Sequence, residues 1–248
     1  MKIIYFSISI IIVHIIFLFV LARNLSARDF DEQYSRARDA VYNQKMSPRE
    51  IHLVISKGLK TIGSIPNEQE KLYWMARLDS LAGYMELHQA KDLKSAEVHF
   101  EKCMELVKKA LEIGEFSEGY RLLSDTIGNL CLVKNKGYVI VNGLKVVKYA
   151  RKALKLNPQN AKAMILLASA EIYSPSIYGG KPQKGIHIMQ EALEMPDLDK
   201  GDLFNIFSGI GIAYFRLKKY DKAKLYLTRS LELFPDNFYA NEEIRKLD

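Results

Sequence analysis

Seven residues near the C-terminus constrain this chain more than any other feature. Phe207, Ile210, Gly211, Tyr214, Ala223, Leu227 and Pro235 stand at spacings that suit two successive helices joined by a turn, with a small residue on each helix and a proline at the end. Gly211 and Ala223 let two antiparallel helices approach closely, and Tyr214 fills the space beside them. Pro235 stops the second helix, because proline lacks the N–H that a helix interior needs. Such a hairpin cannot bury its apolar face alone, so it requires neighbours of the same design.

Counting back in the same frame, Ala150, Ala153, Leu154 and Pro158 repeat the second-helix pattern. They predict a unit starting near Ile127, although its first helix carries Lys134 where a glycine is expected. A middle unit begins near Ala161 and places Met164, Leu167, Ala168, Gly185, Met189 and Ala192 in the same roles. It is longer than standard, with an insertion from Ser174 to Pro182 between its two helices. Residues 67–114 suggest a degenerate unit through Gly83 and Ala96, but Gly83 is one position out of frame with Phe100 and no proline follows.

Upstream, Ser47, Pro48 and Glu50 give a cap, a first-turn proline and a capping-box acid ahead of the periodic run Ile51 to Ile62. Pro66 separates this helix from one over Asn67 to Gln89, and a further helix runs from Asp92 to Ile113. Their short connection makes them antiparallel neighbours. The β-branched run Tyr138 to Val141, between Gly137 and Gly143, is read as a helix start. Beyond residue 28 no stretch alternates with the period of a sheet strand, so the fold class is all-α.

On these residues the C-terminal half resembles the tetratricopeptide repeat (TPR) superfamily. The resemblance implies antiparallel helical hairpins stacked as a right-handed solenoid, with a TPR-like domain over 116–248 and an N-terminal helical region over 28–115. It also implies a concave surface built from the first helix of each repeat. To that surface it assigns Lys162, Ile165, Ser169, Ile172 and Tyr173 in the middle repeat, and Asn205, Ser208, Ile212, Phe215 and Arg216 in the last. Tyr178, Gly179 and Gly180 would add a loop contact on one rim, while Phe207, Gly211, Tyr214, Ala223 and Pro235 keep structural roles. TPR domains that clamp acidic chaperone tails use lysine, asparagine and arginine at such positions, and that set is largely missing. The inserted Gly-Gly loop is similar to one in small secreted bacterial TPR proteins, which implies a bacterial, non-catalytic adaptor.

Ile3 to Leu21 form an apolar run behind Lys2, broken only by Ser7, Ser9 and His14. The run exceeds the roughly 7–15 residues of a signal-peptide core and approaches the roughly 20 that span a bilayer. Residues 1–27 are therefore expected to be a signal peptide, cleaved after Ala22 or Ala27, or a retained membrane anchor. Either reading puts the remainder outside the cytoplasm, periplasmic or extracellular. Apolar residues at 48% and charged residues at 26% are ordinary for a globular protein. The 36 basic residues lose Lys2 and Arg23 with the leader, against 29 acidic ones, and the rest are spread along helices. A solvated helix surface explains them, and nucleic acid is not expected as a partner.

His99 and Cys103 share a helix face but lack a second pair of ligands, so no metal is expected. Whether Cys103 and Cys131 form a disulfide stays open. His52, His88 and His187 stand singly, and Asp79 and Glu86 show no convergent partner by spacing. Gly179 and Gly180 lack the following Lys-Ser/Thr and the preceding strand of a phosphate loop, and read as a turn. Neither catalysis nor a cofactor is indicated. The expected function is an adaptor or scaffold that binds a protein or peptide partner in the cell envelope, touching the membrane through its N-terminal segment if uncleaved. The alternative is an accessory of an envelope transport system, holding a hydrophobic small ligand in a pocket lined by Ile165, Ile212 and Phe215.

Overall fold

A computed structural model describes residue 32, residues 34–63 and residues 65–247. The expected signal or anchor over residues 1–27 lies outside the described residues. Among the described residues there is no strand, and no helix is long and apolar enough to cross a membrane.

Residues 38–42 are helical. After them come α1 (Pro48–Ile62), α2 (Glu68–Met85), α3 (Leu93–Ile113), α4 (Ser117–Val133), α5 (Lys136–Leu156), α6 (Ala161–Tyr173), α7 (Pro182–Leu193), α8 (Lys200–Arg216), α9 (Tyr220–Leu233) and α10 (Phe238–Arg245). A π-helical turn, Glu86–Ala90, extends α2, and a 3-10 turn, Ser176–Tyr178, lies between α6 and α7. The starts are set by local chemistry. Ser47 and Glu50 form the expected capping box on α1, and Asn67, Asp92, Asn135, Asn160, Asp199 and Asn237 each accept a first-turn backbone N–H with their side chains. Each cap contributes about 1 kcal/mol by satisfying a donor that the helix itself cannot.

Four hairpins follow from these boundaries: α2 with α3, α4 with α5, α6 with α7, and α8 with α9, closed by α10. In the last of them a Cβ on Gly211 would lie 2.8 Å from Leu227 Cγ, so the close approach expected of that glycine is real. Gly83 meets the ring of Phe100 in the same way, with a Cβ falling 2.7 Å from it. Residues 68–113 are thus a true hairpin of the stack despite the one-residue frame shift. In place of a proline, Gln69 Nε2 caps the end of α3 by donating to the carbonyls of Ala110 and Gly114.

One frame needs correction. The unit expected to start near Ile127 has its first helix from Ser117, and Lys134 caps the end of that helix rather than standing inside it. The second helix, α5, has 21 residues, so a fixed period counted back from Pro158 overruns the turn. Tyr138 to Val141 do lie in the first turns of α5, as read.

Arg38–Asp248 form a compact unit. Its larger core cluster joins α6 to α9 through Ile172, Ile186, Met189, Ile206, Ile210 and Leu227. A second cluster joins α2 to α4 through Ala76, Cys103, Leu122 and Ile127, with Val146 and Tyr149 of α5 packed against it, and so runs across the 115/116 division drawn from the sequence. Phe204, Phe234 and Ala240 make a smaller third cluster against Tyr42.

Candidate functional site

The first helices touch from one hairpin to the next, α2 with α4, α4 with α6 and α6 with α8, to an extent the second helices do not. The more closely spaced row of a curved stack is its inner one, so α2, α4, α6 and α8 line the concave face. Along this face runs a chain of polar contacts. Tyr73 Oη donates to Glu118 Oε2 at 3.0 Å, Arg121 Nε donates to the same oxygen at 3.0 Å, and Asn160 Nδ2 donates to Glu118 Oε1 at 2.7 Å. Lys162 Nζ then reaches Asp202 Oδ2 at 2.8 Å and Asp199 Oδ2 at 3.2 Å. Burial pushes Glu118 up, but the charges of Arg121 and Lys162 outweigh it and hold the carboxyl at about 2. Asp199 is likewise held well below the usual carboxylate range: burial opposes, and Arg38 and Lys162 prevail.

The end of this chain is occupied by the protein's own residues 38–43. Arg38 Nη1 donates to Asp199 Oδ2 at 2.8 Å, and Gly201 leaves it room, since a Cβ there would lie 2.9 Å from the guanidinium carbon. Tyr42 sits among three aromatic rings, with centroids 5.0 Å from Tyr84, 5.6 Å from Phe204 and 5.4 Å from Phe234. Gln89 Nε2 donates to the Val41 carbonyl and Asn237 Nδ2 to that of Tyr42, both at 2.8 Å. Asn43 Oδ1 in turn accepts the Asp236 N–H at 3.0 Å. The cavity left between this segment, His88 and Tyr239 is only about 10 Å³, room for about one water.

Of the residues assigned to the concave surface, Ile165, Ile172, Ser208 and Ile212 are buried, so their side chains pack the solenoid instead of facing outward. Ser169, Asn205 and Phe215 are half-buried. Ile165 and Ile212 lie inside the core cluster, and Phe215 packs against it. Lys162 is half-buried and committed to its two aspartates. Tyr173 is exposed as a residue, its hydroxyl is hydrogen-bonded to that of Tyr239, and desolvation around that hydroxyl pushes the phenol well above its usual value. Arg216 donates to the Ser174 carbonyl at 3.1 Å, tying the last repeat to the inserted loop. In that loop Tyr178 ends the 3-10 turn, Gly179 takes a left-handed φ of 87°, and a Cβ on Gly180 would fall 2.0 Å from Ser174 O. The turn reading of the Gly-Gly pair holds.

The carboxylates without partners by spacing have them in space: Asp79 Oδ1 lies 3.1 Å from His99 Nδ1, and Glu86 Oε1 lies 3.0 Å from His52 Nε2. His99 therefore turns away from Cys103, whose Sγ contacts Thr126 Oγ1 at 3.1 Å. Cys103 and Cys131 are both free thiols. Among the described residues no group of three or more histidine, cysteine or acidic side chains could hold a metal.

Sequence reasoning missed Arg38, Tyr42, Gln89 and Asn237 altogether. The stretch matches no repeat, and nothing local marks it as the occupant of a groove.

A match to known families covers the last complete hairpin, residues 204–237. Residues 204–237 are a tetratricopeptide repeat. The TPR fold extends over most of the chain: a thermophilic TPR protein of Thermus thermophilus, TTC0263, superposes with a TM-score of 0.55 over 91% of this chain and 98% of that one, at 16% identity. YrrB, described as a TPR protein with an unusual peptide-binding site, aligns with a TM-score of 0.41 over 77% of this chain and 91% of its own, at 15% identity. No curated protein sequence matches the chain. The protein is thus an all-α, TPR-like solenoid, a fold consistent with a protein-binding scaffold.

Proposed function

We propose that this protein is a non-catalytic TPR scaffold of the cell envelope that holds a peptide segment of a protein partner on its concave face, with residues 38–43 occupying that place in the unbound state. The observation that supports this most is how those residues are held. One aromatic side chain enters an aromatic cage, one guanidinium meets an aspartate, and two main-chain carbonyls are caught by side-chain amides. An aromatic anchor in a pocket with polar contacts around it is the usual economy of peptide recognition. A partner segment with a basic residue four positions before an aromatic one matches the site as Arg38 and Tyr42 do.

The non-catalytic part of the reading is supported by the pairing of the charges. Glu118 and Asp199 spend their oxygens on neighbouring cations, amides and a helix N–H, and Asp202 accepts from Lys162 and the Asp199 N–H, as a structural chain of ion pairs does. The envelope location is supported by the apolar run Ile3 to Leu21.

Mild cross-linking in the native host, co-purification and mass spectrometry test the proposal with the native chain, Tyr42→Ala and Gln89→Ala. Capture of the same envelope protein, raised by Tyr42→Ala and lowered by Gln89→Ala, is the expected result. Capture indifferent to both substitutions would remove the groove from the account, and a cytosolic partner set would remove the envelope. The same spectra show whether the mature chain starts at Arg23 or Arg28.

A further inference from the structure

Helix α5 carries a face that the solenoid does not use. Its 21 residues include Lys136, Lys145, Lys148, Arg151, Lys152 and Lys155 and no acidic residue, and it fully buries only Ala150 and Ala153. Ile140, Leu144, Lys148, Arg151 and Lys155 follow at three- and four-residue steps, which places them along one side of the helix. Ile140 is 75% exposed and Leu144 81%, with Val141 beside them at 67%. The side is therefore apolar in its first half and cationic in its second. At the adjoining end of α4, Leu132 is also exposed. Among the described residues, Lys152 alone of the six cations is ion-paired, to Glu115.

We propose that this face of α5 lies on an anionic lipid surface, with Ile140, Val141 and Leu144 dipping among the acyl chains and Lys148, Arg151 and Lys155 at the headgroup phosphates. Charge decides between the occupants. A second copy docked about a two-fold axis would set this cationic face against itself, with no acidic residue in either α5 and with Glu115 beside it already paired with Lys152. A membrane bearing phosphate groups offers both an apolar layer and counter-charge at the depth each half of the helix needs. Long basic side chains reach headgroups while their methylene stems stay in apolar surroundings. The contact is separate from the concave face and stands whether or not that face binds a peptide.

The test uses the full chain in detergent, diluted into vesicles of phosphatidylcholine alone or of phosphatidylcholine with phosphatidylglycerol. An environment-sensitive fluorophore is attached through Leu144→Cys or, as a control on α9, Leu225→Cys, each with Cys131→Ser. Whatever residues 3–21 contribute is common to both labelled chains and both vesicles. The expected result is a several-fold rise and blue shift of the signal at position 144 with phosphatidylglycerol only, lost at high salt and in the additional variant Lys148→Glu/Arg151→Glu, and absent at position 225. Equal signals in the two kinds of vesicle, or at the two positions, would overturn the proposal. So would a change that appears without lipid and grows with protein concentration, which would mark a second copy, or one that appears only with an added acidic protein.

Discussion

Arg38 and Asp199 lie 161 positions apart in the chain, yet their side chains meet at 2.8 Å. The contact ties a short segment ahead of the first hairpin to the N-cap of α8 in the last. Asp199 serves twice there, since its other oxygen accepts the Asp202 N–H at 2.9 Å and closes the capping box of α8.

Asp199→Asn should separate those two roles. Asparagine still caps the helix, so α8 keeps its start, while Arg38 is left with Asp39 alone. Asp199 is a third exposed, so the loss of the pair is discounted to about 1–2 kcal/mol. Urea denaturation reads that loss, and amide exchange of residues 38–43 should quicken by more than that of α8.

Tyr42→Ala empties the cage of Tyr84, Phe204 and Phe234. The expected destabilisation is about 2–4 kcal/mol, typical for truncating a large packed side chain. If residues 38–43 hold the place of a partner, capture should rise even as the melting temperature falls. A fall in both would mean that the segment only braces the solenoid.

Two glycines give opposite predictions for the same change. Gly211→Ala forces a methyl to within 2.8 Å of Leu227 Cγ and should cost about 1–3 kcal/mol. Gly128 in α4 has nothing within 4 Å of an added Cβ, and Gly128→Ala should stabilise by about 0.5–1 kcal/mol through reduced unfolded-state entropy. Thermal melts of the two variants beside the native chain check the sign of each.

His88 predicts an acid-side loss of stability. Burial, helped by Lys91, holds its imidazole down at about 4, below the ordinary value of 6.5. A group depressed in the folded state binds its proton more readily once unfolded. Its contribution is therefore complete above about pH 6.5, shrinks as the pH falls, and is gone below about pH 4. Denaturation midpoints measured across that window should flatten in His88→Gln relative to the native chain.

Thiol chemistry distinguishes the two cysteines. Burial pushes Cys103 up to about 12, and Thr126 and its surroundings enclose it, whereas Cys131 is only partly covered. An aromatic disulfide reagent should modify Cys131 in the native state and Cys103 only after unfolding. Reaction with neither thiol in denaturant would reveal a disulfide.

Helix starts were legible because they depend on neighbours in sequence. Ser47 with Glu50, Asn67 and Asp92 each act on a backbone N–H two or three residues away, and each begins its helix where read. The last repeat was legible for the same reason, as its glycine, alanine and proline sit within one hairpin. The unit near Ile127 was misframed because α5 is longer than a standard second helix, and a fixed period does not sense where a turn falls. Ile165, Ile172 and Ile212 were placed on the concave surface, but the residue facing out of a helix depends on how far that helix is rotated in its stack, which family position alone does not supply.

By itself, then, the sequence determined the all-α class and most of the hairpin pairing, because helix caps, three-to-four periodicity and short turns act over a few residues, while the stacking followed from the resemblance of the last repeat. Only the tertiary structure decided that residues 38–43 occupy the concave face. Small rotations from each hairpin to the next accumulate until Asp199, Phe204, Phe234 and Asn237 come round to meet Arg38 and Tyr42. That sum is a property of all the interfaces together, and no window of sequence contains it.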